Sequence, residues 1–98
     1  MEAKWTLKGW TTGIARAIED QIQEIDGYPI EVKPGEGPRV FVCLKGAEGD
    51  TTAARAARAA LTPIVEAAIH AESRLIDHRI ESSNRGDDLL MTCLLLFP

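Results

Sequence analysis

Asp88-Leu89-Leu90-Met91-Thr92-Cys93-Leu94-Leu95-Leu96-Phe97 is the stretch that decides how this chain folds. It is too short to cross a bilayer as a helix, which takes about 20 residues. Gly86, Asp87 and Asp88 bound it on one side and Pro98 ends it, so it reads as a buried strand. Side chains alternate along a strand. One face carries Leu89, Met91, Cys93, Leu95 and Phe97, and the other carries Leu90, Thr92, Leu94 and Leu96. Both faces are apolar, so both need cover. A chain this small usually makes two layers, helices on one side of one sheet, and that arrangement leaves the second face wet. A second copy of the chain is the simplest cover. The alternative is a central strand whose far face is closed by a loop.

Composition sets the outer limits. The chain of 98 residues is long enough for a single domain, 1–98. Hydrophobic residues at 45% and charged residues at 27% match an ordinary globular domain. A net charge of −4 argues against a phosphate-tracking nucleic-acid binder, which carries a basic face. Cys43 and Cys93 both sit in apolar, strand-like runs where cysteine acts as a small hydrophobe, so no disulfide framework is read and a reducing cytoplasm is expected. The opening Met1-Glu2-Ala3-Lys4-Trp5-Thr6-Leu7-Lys8 has no apolar core of a secretory leader. No membrane span is read.

Working back from the final run, Arg74 to Glu81 reads as a strand through Leu75, Ile76 and Ile80, and Ser82 to Asp88 as a polar turn. The two runs would pair as a hairpin. Upstream, Ala57, Leu61, Ile64, Ala68, Ala71 and Leu75 form a helical stripe, with Asp50 placed to cap it. Pro63 inside it predicts a kinked or two-segment helix from about Thr51 to about Ser73. Arg39 to Leu44 is a strand apolar on both faces, with Val40, Val42 and Leu44 opposite Phe41 and Cys43. Tyr28 to Lys33 is a shorter strand, joined to it by the turn Pro34 to Pro38. Ile14, Ile18, Ile22 and Ile25 predict an amphipathic helix capped by Thr11 or Thr12 and ended by Gly27. Lys4 to Lys8 alternates, with Trp5 and Leu7 on one face, and predicts a first strand.

The expected order is therefore β-α-β-β-α-β-β. The class is α+β, a ferredoxin-like split β-α-β two-layer sandwich with an additional C-terminal strand. An internal echo accompanies it. Leu7-Lys8-Gly9 precedes Thr11-Thr12 and Arg16, and Leu44-Lys45-Gly46 precedes Thr51-Thr52 and Arg55.

That echo gives the sharpest chemical expectation. In a split β-α-β fold both helices start at one end of the sheet, which would gather Thr12, Arg16, Thr52, Arg55 and Arg58 around an anion. The plainer reading is that these arginines are solvated. His70 and His78 lack the spacing of a zinc pair. Gly35 and Gly37 lack the following helix of a phosphate loop. Arg85-Gly86-Asp87 is turn chemistry. The acidic helix face of Glu19, Asp20, Glu24 and Asp26 is a solvated face or the docking surface of an inhibitor or adaptor. No catalytic residue, metal ligand or cofactor is assigned.

The stretch from Gly13 to Phe97 resembles the tail-terminator family of long-tailed phages, small proteins that close the tail tube as a ring. The likeness lies in element order. An amphipathic helix leads to a hairpin ending in Arg-Val-Phe-Val-Cys-Leu-Lys-Gly-Ala-Glu (Arg39 to Glu48). A second helix then leads to the polar turn Ser82 to Asp88 and an apolar strand. The resemblance implies a ring-forming virion component without an active site. The residues themselves point to a non-catalytic assembly module, a homo-oligomer or the partner of another protein. Phe41, Cys43, Leu90, Leu94 and Leu96 are its expected interface, and Trp10, between the first strand and the helix cap, is its expected aromatic anchor. The competing expectation is an anion-binding or enzymatic dimer built on the arginines.

Overall fold

The computed structural model describes residues 2–48 and 51–98, with side chains from residue 9 onward. The chain begins as a helix, α1 (Glu2–Gln21), where a strand was expected over Lys4 to Lys8. Spacing accounts for the difference. Leu7, Thr11, Ile14 and Ile18 keep helical intervals over a longer span than the short alternation around Trp5. Gly9 and Gly13 are exposed and cost about 1 kcal/mol each against alanine, too little to break a helix held by tertiary packing. Thr11 and Thr12, expected as caps, lie mid-helix. Thr11, Ile14, Ala15 and Ile18 are buried, while Arg16, Glu19 and Asp20 face outward.

β1 (Glu24–Ile25) follows, and Asp26 and Gly27 turn it into β2 (Tyr28–Pro34). Asp26 at φ 51° and Gly27 at φ 88° both occupy the left-handed region that a type I′ hairpin demands. Gly27 therefore closes a hairpin rather than a helix, Glu24 and Ile25 belong to a strand, and Asp26 to the turn, so neither Glu24 nor Asp26 lies on the expected acidic helix face. β3 (Arg39–Leu44) has the expected bounds.

α2 (Thr52–His70) is capped by Thr51, whose hydroxyl accepts the N–H of Ala54 at 3.1 Å. Asp50, the expected cap, lies outside the described residues. The helix is one segment through Pro63. Thr62 Oγ1 donates to the carbonyl of Arg58 at 2.8 Å, just before the proline removes one helical N–H. The buried stripe is Ala54, Ala57, Leu61, Val65, Ala68 and Ile69. Val65 replaces the expected Ile64 because a 3.6-residue period carries the stripe forward.

β4 (Asp77–Arg85) and β5 (Asp88–Leu96) form the expected hairpin; β5 starts at Asp88 as read, while β4 begins and ends later than Arg74 to Glu81. Gly86 at φ 62° opens a two-residue loop, which sets Arg85 opposite Asp88 and draws the polar Ser82 to Asn84 into the ladder.

The strand order is β1-β2-β3-β5-β4, with every neighbouring pair antiparallel. The class is α+β: two helices and a five-stranded antiparallel sheet. The path β3-α2-β4 makes one split β-α-β unit with β5 between its strands. The expected second unit needs a strand ahead of α1, and the described residues there are helical. Val40, Val42 and Leu44 of β3 and Leu89, Met91, Cys93 and Leu95 of β5 meet Ile14, Ile18, Leu61, Val65 and Ile69 of the helices in one core. Burying each large side chain contributes about 1.5–3 kcal/mol. No buried side-chain polar atom among the described residues lacks a hydrogen-bond partner.

Candidate functional site

The face of the sheet turned away from the helices is the candidate site. Pairing register builds it. β3 opposite β5 aligns Phe41 with Thr92 and Cys43 with Leu90, and β4 opposite β5 aligns Arg79 with Leu94 and Asp77 with Leu96. The helix-facing partners of the same strands are buried, so strict alternation sends Phe41, Cys43, Leu90, Thr92, Leu94 and Leu96 outward. All are at least partly exposed. Leu96, at 54% exposure, and Ile76, at 62%, stand out as exposed large hydrophobics, and the N–H of Ile76 donates to the carbonyl of Leu96 at 2.8 Å. The interface expected from sequence, Phe41, Cys43, Leu90, Leu94 and Leu96, thus shares one face, and among the described residues no element covers it.

Charge flanks this apolar band. Lys33 Nζ lies 2.7 Å from Glu31, and Lys45 Nζ lies 3.7 Å from Glu31 and 3.3 Å from Asp88. On the other side Arg79 Nη2 sits 3.2 Å from Glu81. Phe41 is held by close contact with Gly35, where an added Cβ would collide with its ring.

At one end of the face a half-open depression of about 470 Å³ is lined by Phe41, Cys43, Leu90 and the ionic groups of Glu31, Lys33, Lys45, Arg85 and Asp88. Asp88 Oδ1 accepts the N–H of Gly46 at 2.8 Å, which with Lys45 holds its carboxyl below the usual range. Asp88 in turn raises Lys45, and Lys33 lowers Glu31. Burial, then the Asp88 carboxylate, pushes the Cys43 thiol up. Burial alone pushes Cys93 up to about 12. A nucleophilic cysteine needs its thiolate. Both environments favour the protonated thiol instead.

The expected anion site is not assembled at a shared helix start. Because α1 begins at Glu2, Thr12 and Arg16 stand roughly 15 and 21 Å along the helix from its N-terminus. Thr52 and Arg55 do occupy the first turn of α2, and Arg58 the second. Trp10 is half-exposed and has ring contacts within the chain. Its ring packs on Phe97 with centroids 4.7 Å apart, and the Arg74 guanidinium lies 5.3 Å from its centroid. The long α1 carries it onto Phe97, just past the end of β5.

Tertiary structure also joins groups that the sequence keeps apart. His70 and His78 make an edge-on contact with centroids 4.8 Å apart, and His78 Nε2 lies 3.3 Å from Glu66 Oε2. The turn between α2 and β4 brings them together, which linear spacing does not reveal. Among the described residues no three His, Cys, Asp or Glu side chains are arranged to hold a metal ion. The Lys33–Glu31–Lys45–Asp88 network was equally hidden, since it depends on the β2-β3-β5 register. The alternation of charge along β2 was its one visible trace.

No helix among the described residues is long and apolar enough to cross a membrane. No protein-family model matches the chain, and neither a curated protein nor a solved structure matches it significantly.

Proposed function

We propose that the chain is a non-catalytic assembly module that associates with copies of itself through the open sheet face. The observation that carries this reading is the uncovered apolar band of Phe41, Leu90, Leu94 and Leu96, flanked on both sides by paired charges. An apolar centre with a polar rim is the anatomy of a protein interface. The strands β2 to β5, between 6 and 9 residues long and about 4.8 Å apart, span roughly 490 Å² in projection. Side-chain relief raises that towards the ~800 Å² per partner of a standard interface. The protonated thiols and the carboxylate-paired lysines supply neither a nucleophile nor an uncompensated anion site, which favours assembly over catalysis.

Two faces packed about a two-fold axis close as a dimer. A ring, the arrangement of a tail-terminator-like protein, needs a heterologous contact instead, so mass separates the two. Light scattering over a dilution series is the test, with the chain mass of 10.7 kDa as the unit. Multiples of that mass are expected for the wild type, and a lower multiple for Leu94→Asp with unchanged circular dichroism. A wild-type monomer at high concentration would sink the proposal.

A further inference from the structure

We infer that the β4 edge of the sheet is a second, self-complementary interface, at which β4 pairs antiparallel with β4 of another copy about a two-fold axis at Ile80. This goes beyond the open-face reading and does not depend on it.

The two edges of the sheet differ. The β2 edge is blunted: the N–H of Ile30 is taken by Gln23, β1 lies alongside, and Pro29 and Pro34 have no N–H to donate. β4 is long, contains no proline, and among the described residues pairs with β5 alone; the His78 N–H is met by Asp77 Oδ1 at 2.8 Å, a local bond that a partner strand would have to exchange. Its outward backbone groups can be satisfied by a further strand.

Charge selects the occupant and the register. In a two-fold antiparallel pair each residue meets a partner on the same face, so the axis must fall on a residue. An axis at Ile80 places Arg79 opposite Glu81 twice, Ile80 opposite Ile80, and Asp77 opposite Ser83. No like charges meet, and Asp77 to Ser83 pairs throughout. An axis at Glu81 sets Glu81 against itself. One at Arg79 sets Arg79 against itself and Asp77 against Glu81, and one at Ser82 sets Arg79 against Arg85. Axes at His78 and Ser83 also avoid like charges but leave only Asp77 to Arg79 or Glu81 to Arg85 in both strands. Arg79 and Glu81 pair with each other at 3.2 Å within one chain, and with side chains 71% and 57% exposed they can exchange that pair for two across the axis. Ile80, half-buried at the margin of the core, would be covered by its copy. The product is a continuous ten-stranded sheet with its two apolar bands on the same side. Its axis is normal to the sheet while the axis of the face contact lies in the sheet plane, so a closed assembly using both is a tetramer with three mutually perpendicular two-folds.

The test is a charge exchange read by light scattering. Arg79→Glu sets a glutamate opposite Glu81 of the other copy, and Glu81→Arg sets an arginine opposite Arg79. Each variant alone should halve the mass and weaken this association about tenfold or more. Mixing the two restores complementarity at both positions, so the mixture should regain the wild-type mass as a heterodimeric contact. The double variant Arg79→Glu/Glu81→Arg should also assemble. Single variants that keep the wild-type mass, or a mixture that stays apart, overturn the β4 pairing. An assembly split by the charge variants and indifferent to Leu94→Asp overturns the face contact alone, and the reverse pattern overturns the edge alone. A wild-type monomer overturns both.

Discussion

The two faces of β5 are nearly matched in composition and differ wholly in fate. Leu89, Met91, Cys93 and Leu95 lie under the helices at 5% exposure or less. Leu90, Thr92, Leu94 and Leu96 remain accessible. Apolar character alone therefore does not identify the core. The helices decide which face is core, and the face they leave is available for intermolecular contact.

Substitution separates the faces most sharply. Met91→Ala should lower stability by about 2–5 kcal/mol, through lost transfer energy and the cavity left behind. Leu94→Ala, measured at a dilution where no association persists, should change it by less than about 1 kcal/mol. Urea midpoints at fixed slope check both, and equal losses would mean that the open face is covered within one chain. The next largest effect is expected at the margin of the open face. Gly35→Ala puts a methyl group where the Phe41 ring lies, and because that half-exposed ring can turn aside the cost should stay at about 1 kcal/mol or less. It should also weaken association by displacing Phe41, which the dilution series would reveal.

The cysteines repeat the comparison as reactivity. Cys43 should alkylate slowly in the dilute native protein and more slowly as the protein concentration rises. Cys93, at 0% exposure with its thiol pushed up to about 12, should react only on unfolding. Mass spectrometry after timed labelling distinguishes them, and faster native labelling of Cys93 than Cys43 would invert the assigned faces.

The smallest effect belongs to Asp88. Its folded pKa is depressed, so its contribution is fully present above the ordinary carboxylate value and fades as pH falls below about 4, through its lowered folded value. Asp88→Asn should remove that contribution at neutral pH and leave the acid end nearly unchanged, which flattens the acid limb of the stability profile. Urea midpoints from pH 7 downward would show an undiminished acid limb if Asp88 were uninvolved.

Legibility varied along the chain for physical reasons. β3 and β5 were readable because uninterrupted apolar runs between Gly, Asp and Pro admit few conformations. Lys4 to Lys8 was not, since a five-residue alternation competes with the longer helical period running from Leu7 to Ile18. Asp26-Gly27 carried a hairpin signal that the isoleucine stripe masked, because Ile25 satisfies both patterns. Among candidate site residues, Phe41, Cys43, Leu90, Leu94 and Leu96 follow from alternation alone once the strands are known. The partners of Trp10, Phe97 and Arg74, were not legible because they lie far along the chain from it.

By itself the sequence determined an α+β chain with two amphipathic helices and strands apolar on both sides, because periodicity is a local property of the backbone. Which side of β5 the helices cover, which edge of the sheet stays open, and which distant residues meet were decided only in the tertiary structure. Those outcomes depend on strand order and register, and long-range packing sets both.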